Sequence, residues 1–351
     1  MRALTFILAL ISMAWTQTPT HLIVAVDGQA TLKRSHWQIE NPLTFGTEVV
    51  VGDLIHLLGE SAQVKVLCAD LSLETLSGRE FSSVGCSGEA PQLYYEGERL
   101  SRLRTSPQLN LPRVLSPRAT ELLTNRPTFV WQAVPNASYT ARLKALPDDV
   151  VWEVQTEMNT LAYPDKPALK PGVSYVLEVA ARVGDATYSS DDEELPNLGF
   201  SLLDDAKARA VREQEKIIRA LPLSEEARAF ALAHLYASNG LYAEAILQLE
   251  SINGTKESVD YLMGKLHETI RLPLHAERYY RQSLQMAHES RDLQRQALSS
   301  LALGRLFDIQ YNNVAQGAEF YENARENYKT LGDAARAESI ERVLLEIRSQ
   351  E

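Results

Sequence analysis

Cys68 and Cys86 are the residues of this chain best equipped for covalent chemistry. Cys86 stands in Val84-Gly85-Cys86-Ser87-Gly88, a glycine-flanked turn that could present a nucleophilic thiolate. A cysteine hydrolase needs a histidine held against the sulfur, and His21, His36 and His56 lie in the same region. None of the three stands in a recognisable cysteine-hydrolase signature. The competing chemistry is oxidation. In an exported protein an even pair of cysteines is most simply a disulfide, and closing this loop of 18 residues stabilises by about 3 kcal/mol in the chain-entropy model. The disulfide is the favoured reading, and free-thiol titration separates it from the nucleophile.

Other constellations carry less. His267 and His275 flank Pro273, too far apart along a helix to share a metal face and without cysteine help, so they read as packing or surface residues. The acidic run Asp191-Asp192-Glu193-Glu194 lacks spaced oxygen ligands and a turn glycine, and reads as a solvated loop rather than a calcium site. No HExxH, GxSxG, Walker loop or dinucleotide fingerprint occurs. No catalytic, cofactor-binding or metal-ligating residue is assigned on these grounds, and a non-enzymatic protein without a cofactor is expected.

The N-terminus decides the redox setting. Arg2 precedes an apolar core from Ala3 to Met13, and Ser12, Ala14 and Thr16 offer cleavage sites, so residues 1–16 read as a signal peptide. The alternative is a buried N-terminal strand or helix. The apolar run is too short for a bilayer core, and no later stretch is long enough either. The expected destination is the periplasm or the exterior. A net charge of −11 with no basic run argues against nucleic acid as partner. At 351 residues the chain is long enough for two or three domains. The sequons at Asn136-Ala-Ser138 and Asn253-Gly-Thr255 matter only in a glycosylating host.

The positioning elements fall into three stretches. Residues 20–95 are strand-like: Val64, Val66 and Cys68 alternate with Lys65 and Leu67, and turns are marked at Gly46, Gly52-Asp53, Gly59-Glu60 and Ser77-Gly78. Asp27-Gly28 between two β-rich runs predicts a hairpin. Gly28, Phe45-Gly46, Gly52-Asp53-Leu54-Ile55 and Ser61-Ala62-Gln63-Val64-Lys65-Val66 together resemble the FecR-type β domain of bacterial envelope proteins. That resemblance implies a small β-sandwich or barrel. It is partial, because Asp70 is followed by Leu71 where the family usually has Asp-Gly, and the family's inward-signalling tail has no counterpart here.

Residues 96–111 read as a linker, and period-two runs resume over 112–198. Leu169-Lys170-Pro171-Gly172-Val173-Ser174-Tyr175 resembles the tyrosine corner of fibronectin type III, an Ig-like β-sandwich. The resemblance implies a core role for Trp131. Trp152 reads as core or inter-sheet, with an exposed sugar-stacking platform as the alternative.

From residue 201 to 351 the chain turns helical. Ala233, Tyr236, Gly240, Ala245 and Leu249 sit in a frame repeated by Gly264, Ala276, Tyr280 and Leu284, and again by Leu303, Gly304, Phe307, Gly317, Tyr321 and Ala324. The frame resembles tetratricopeptide (TPR) repeats, with 203–220 and 334–349 as capping helices; a generic helical bundle is the alternative. In such arrays certain positions of each first helix line a concave groove. The resemblance places Phe230, Tyr261 and Leu301 there as an apolar stripe, His234, Lys265 and Arg305 as a basic stripe, and Glu268 and Asp308 beside them. Internal pairing of Lys265 with Glu268 and of Arg305 with Asp308 is the competing use of these charges.

The expected fold is thus multidomain, all-β plus all-α: a small β-sandwich or barrel, an Ig-like β-sandwich and an α-helical TPR-like solenoid. The expected function is an exported protein-interaction scaffold whose groove binds a protein or peptide with apolar anchors and acidic residues. The alternatives are an envelope ligand-sensing or glycan-binding protein acting through its β domains, and a cysteine-dependent hydrolase.

Overall fold

The computed structural model describes residues 20–78, 81–86, 111–164, 167–193, 195–254 and 256–349. The signal-peptide segment 1–16 and residues 96–110 of the expected linker lie outside the described residues. The chain is a multidomain protein, with β-sheet domains followed by stacked helices.

The first domain contains β1 (Thr20–Asp27), β2 (Ala30–Lys33), β3 (Asn41–Pro42), β4 (Glu48–Val50), β5 (Leu54–Leu57), β6 (Gln63–Leu67), β7 (Leu73–Ser77) and β8 (Phe81–Ser83). They form two antiparallel sheets, ordered β4-β1-β6-β7 and β3-β2-β5-β8. Val64 and Val66 point inward as their alternation predicts, and close with Ile23, Leu32 and Ile55 over one core. The hairpin expected at Asp27-Gly28 does not form. β1 already pairs with β4 on one side and β6 on the other, so no edge is left for β2, and the chain crosses at Gly28 into the second sheet.

The second domain runs through β9 (Val114–Ser116), β10 (Thr120–Leu122), β11 (Thr128–Trp131), β12 (Ser138–Ala145), β13 (Asp149–Thr156), β14 (Thr160–Ala162), β15 (Ser174–Val183), β16 (Ala186–Ser189) and β17 (Phe200–Leu202). One sheet is ordered β10-β17-β15-β12-β13, with β16 beside β15; the facing sheet is β14-β11-β9. Trp131 and Phe129 are fully buried between them. The Lys170 N–H donates to the Tyr175 hydroxyl at 2.9 Å, a backward bond that pins the chain's entry into β15. Trp152 lies against Phe129 and Tyr163, with ring centroids 5.8 and 5.6 Å away, so its ring is committed to packing.

Among the described residues eight α-helices follow: α1 (Asp205–Ala220), α2 (Glu225–Ser238), α3 (Tyr242–Glu250), α4 (Glu257–Thr269), α5 (Pro273–Ser290), α6 (Leu293–Arg305), α7 (Val314–Leu331) and α8 (Ala334–Arg348). Asp204, Ser224, Asp292, Asn313 and Asp333 accept backbone N–H bonds at helix starts, which satisfies donors the helix itself leaves open. The repeated frame has a direct physical basis. A Cβ on Gly264 would meet the Tyr280 ring at 2.4–2.5 Å, and one on Gly304 would meet the Tyr321 ring at 2.6–2.7 Å. Each glycine is the absence that lets α4 close on α5, and α6 on α7. A π-helical turn, Leu306–Gln310, ends α6. Among the described residues no helix is long and apolar enough to cross a membrane.

Candidate protein-binding groove

The residues assigned to the groove lie on α2, α4 and α6 and the turn after α6, and the first β domain is seated against them. Phe45 stacks against Phe230 with centroids 5.0 Å apart, and Phe230 is 1% exposed. Gly46, at φ +75°, comes so close that an added Cβ would lie 2.8 Å from the Phe230 ring and 2.9 Å from Ser258 Oγ. Ser258 donates its hydroxyl to the Phe45 carbonyl at 2.6 Å. Leu22, Val24, Leu67 and Leu71 of the β domain share one apolar cluster with Phe230, Leu262 and Leu266. A second shared cluster joins Trp37, Leu43 and Val49 to Ala297, Tyr328 and Leu331.

Polar contacts fix the register of this seat. Asn41 donates to Asp292 Oδ1 at 2.8 Å and accepts from the Leu293 N–H at 2.8 Å, so the β domain contributes to the capping of α6. Gln38 N–H donates to the Leu331 carbonyl at 2.7 Å, and His36 meets Asp333 at 3.2 Å. Arg295 reaches Ser258 Oγ at 3.1 Å with its guanidinium 4.7 Å from the Tyr261 ring centroid. Burial pushes the Tyr261 hydroxyl's pKa up, and Glu48 of the β domain is near enough to add to the shift.

The remaining assigned residues divide. His234 is buried edge-on against Phe230 at 4.7 Å. Lys265 is 8% exposed and lies 5.8 Å from the Tyr261 ring, so it is a buried cation rather than the exposed one its position suggested. Glu268 accepts from the Tyr280 hydroxyl at 2.6 Å and meets Arg305 of α6 at 3.7 Å. Leu301 packs beside the second shared cluster. Arg305 keeps 46% of its side chain exposed, and half-buried Asp308 lies near Tyr321, whose pKa is raised by burial and then by this carboxylate. Among these residues Phe230 is covered by the first β domain, whereas Arg305 and, in part, Asp308 remain exposed.

The second β domain meets the array by other means. Arg118, fully buried, donates to the Ile270 carbonyl at 2.8 Å, to the Arg271 carbonyl at 3.3 Å and to Glu193 at 2.7 and 3.2 Å. Thr120 donates to the Gly240 carbonyl at 3.0 Å, and Glu244 accepts from the Leu123 N–H at 2.8 Å. The acidic run read as solvated thus supplies a buried anion: Glu193 retains 6% side-chain exposure between Arg113 and Arg118. Nothing local marks Arg118 or Glu193 in the sequence, because the two are brought together by the fold of the sandwich and only Arg118's bonds to the Ile270 and Arg271 carbonyls cross the junction. A cleft of about 660 Å³ remains there, walled by Leu122, Pro127, Ile246, Leu247 and Tyr279. Inside it His267 stacks on His275 at 5.5 Å, and burial lowers the pKa of His267 to about 4, so both rings serve packing.

Cys68 and Cys86 are disulfide-bonded, with Cα atoms 5.6 Å apart. In that form neither sulfur is a nucleophile.

No family model matches the chain, and no curated protein matches it. Among solved structures, BtubC (BKLC) from P. vanneervenii is 20% identical over 41% of this chain and 73% of that chain, with a TM-score of 0.27. A beta-D-glucuronidase of Dictyoglomus thermophilum is 11% identical over 79% of this chain and 61% of that one, with a TM-score of 0.21. Likenesses this slight bear on neither fold family nor function.

Proposed function

We propose that this chain is an exported, non-enzymatic protein-interaction scaffold built from a FecR-like domain, a fibronectin-like sandwich and a TPR-like array. Residues 1–16 act as its signal peptide. The observation that carries the reading is the seat of Phe45 on Phe230: the concave face of the array grips a folded protein element with apolar anchors and a polar register. Protein recognition is the work such a face does. The β domain takes one end of it in cis, and the open rim at Glu268, Arg305 and Asp308 is where a partner segment engages. Rim charges act mainly on encounter rate and salt dependence. Crosslinking with the full-length chain as bait tests this. Arg305→Ala should reduce partner capture several-fold with an unchanged melting temperature, and equal capture would move the site off the array. N-terminal sequencing of secreted protein should begin near residue 15 or 17, and an intact Met1 on cytosolic protein removes the export claim.

One observation favours a second reading. The apolar cleft between the sandwich and α3–α5 has the size and interdomain position of a small-molecule site. A ligand-sensing role would place the ligand there. Bulking the wall with Leu247→Trp should then abolish ligand-induced stabilisation while leaving partner capture intact.

A further inference from the structure

His21 raises a question that the disulfide does not answer. It is 2% exposed and lies beside the sulfurs because β1 pairs with β6, bringing Leu22 opposite Leu67 with Cys68 next in the chain. The Ala69 N–H donates to its Nδ1 at 3.0 Å, which puts the ring proton on Nε2, and Nε2 is buried with no hydrogen-bond partner among the described residues. A disulfide needs no imidazole beside it. A buried polar atom left unsatisfied costs stability that an aliphatic side chain in the same place would not.

The surroundings complete a donor set. One ring nitrogen of His21 and both sulfurs lie within 4.8 Å of one another. Glu74 comes from β7, the neighbour of β6; its Oε2 is 3.8 Å from Cys86 Sγ and accepts the Gly85 N–H at 3.3 Å. Two sulfurs, one imidazole and one carboxylate make a tetrahedral set suited to zinc, with bonds of about 2.3 Å to sulfur and about 2.0–2.1 Å to nitrogen.

We propose that the reduced form of this cluster is a zinc site, with Cys68, Cys86 and His21 as ligands and Glu74 as the fourth. A thiol or phosphine reductant supplies two electrons, and with two protons from water the disulfide becomes two thiols. Zn²⁺ then displaces both thiol protons to solvent and takes the imidazole lone pair and a carboxylate oxygen. Ligand atoms of such a site lie about 3.3–3.8 Å apart, so shifts of roughly 1 Å gather His21 and the two sulfurs around an ion, while Glu74, beside Cys86 but outside that group, has farther to move. Ligation at either ring nitrogen costs His21 only its bond to Ala69 N–H. Cys86, half-buried, provides the entry side. The bonded form has no thiolate to offer, so binding is gated by redox state.

The mature full-length protein, reduced anaerobically with a phosphine and titrated with Co²⁺ and then Zn²⁺, tests this. One equivalent of Co²⁺ should give sulfur-to-cobalt charge-transfer absorption with tetrahedral visible bands. Zn²⁺ should displace it with a dissociation constant below about 0.1 µM. The oxidised protein and the double variant Cys68→Ser/Cys86→Ser should show neither signal. His21→Ala should weaken Co²⁺ at least about tenfold, and Glu74→Gln, at a half-buried position, by about tenfold without disturbing the fold. Reduced wild-type protein that binds no Co²⁺ overturns the proposal, whether it stays folded or unfolds without rescue by Zn²⁺. Undiminished affinity in both the His21 and Glu74 variants overturns the ligand set.

Discussion

The two β domains meet the same helical array in opposite ways. The first has no boundary with it in apolar terms: Leu22, Val24 and Leu67 belong to one cluster with Phe230 and Leu262, and Trp37 to another with Tyr328. The second keeps its own core around Trp131 and Phe129, against which Ala243 of the array packs, and docks through hydrogen bonds centred on Arg118. Helix α4 serves both. Its N-terminal Ser258 holds the first domain, and the Ile270 and Arg271 carbonyls after its C-terminus hold the second. A merged core ties two folds into one cooperative unit, whereas a polar dock joins units that can part.

The sharpest test of that contrast is Phe230→Ala. It should cost about 3–5 kcal/mol and lower the melting of the first β domain and the array together, while the sandwich melts as before. Loss of array helicity with the β domain intact, seen by segment-resolved hydrogen exchange, would break the comparison. Reducing Cys68–Cys86 without metal should cost about 3 kcal/mol, again in the joint unit alone. Arg118→Ala leaves Glu193 buried with a weakened counter-charge and should cost about 3 kcal/mol, expressed in the sandwich and its docking. Limited proteolysis should then release the sandwich from a unit that still unfolds as one. If the joint unit is destabilised equally, the dock is not separable.

The smallest effect is in pH dependence. Burial raises Asp260 to about 6, so the native state keeps a proton that the unfolded chain releases near its ordinary 3.8. Its contribution is fully present below pH ~4 and is lost as pH rises through about 6. Burial lowers His267 to about 4 from 6.5, so its contribution is present above pH ~6.5 and lost as pH falls through about 4. The two slopes oppose each other within one helix. Asp260→Asn should therefore add about 1–2 kcal/mol at pH 7 and almost nothing at pH 4, measured by urea unfolding. An equal gain at both values would show that burial does not hold that proton.

Much of the architecture was legible because it is local. Gly264 and Gly304 stand 16 and 17 residues before Tyr280 and Tyr321, and each pair is a contact between adjacent helices. Val64-Lys65-Val66 alternates because one face of β6 is buried, and Tyr175 bonds to a backbone only five residues back. What failed was long-range. Asp27-Gly28 has the composition of a hairpin, but which strand takes the edge of β1 is decided by β4 and β6. Glu193 looked solvated because its partner Arg118 lies 75 residues back in the chain. Lys265 was expected on an exposed basic stripe yet is buried beside Tyr261, and no periodicity records that the first β domain covers this part of the helices. Phe45-Gly46 was visible in a resemblance and as a turn, while its use as an anchor on Phe230 was not.

The seat of Phe45 on Phe230 also sets a standard that any rival must meet. A ligand tied to its receptor by the same chain, and held close by an intervening domain that is itself docked as the sandwich is, is presented at an effective concentration of the order of millimolar. A free peptide with the same anchors, present at micromolar concentration, starts about a thousandfold behind, a handicap of roughly 4 kcal/mol. The isolated array, if it can be made to fold, should thus appear far more promiscuous than the whole protein. Binders of Phe230 found with that fragment should mostly vanish against the full chain, and those that survive should be the ones that approach by way of Arg305.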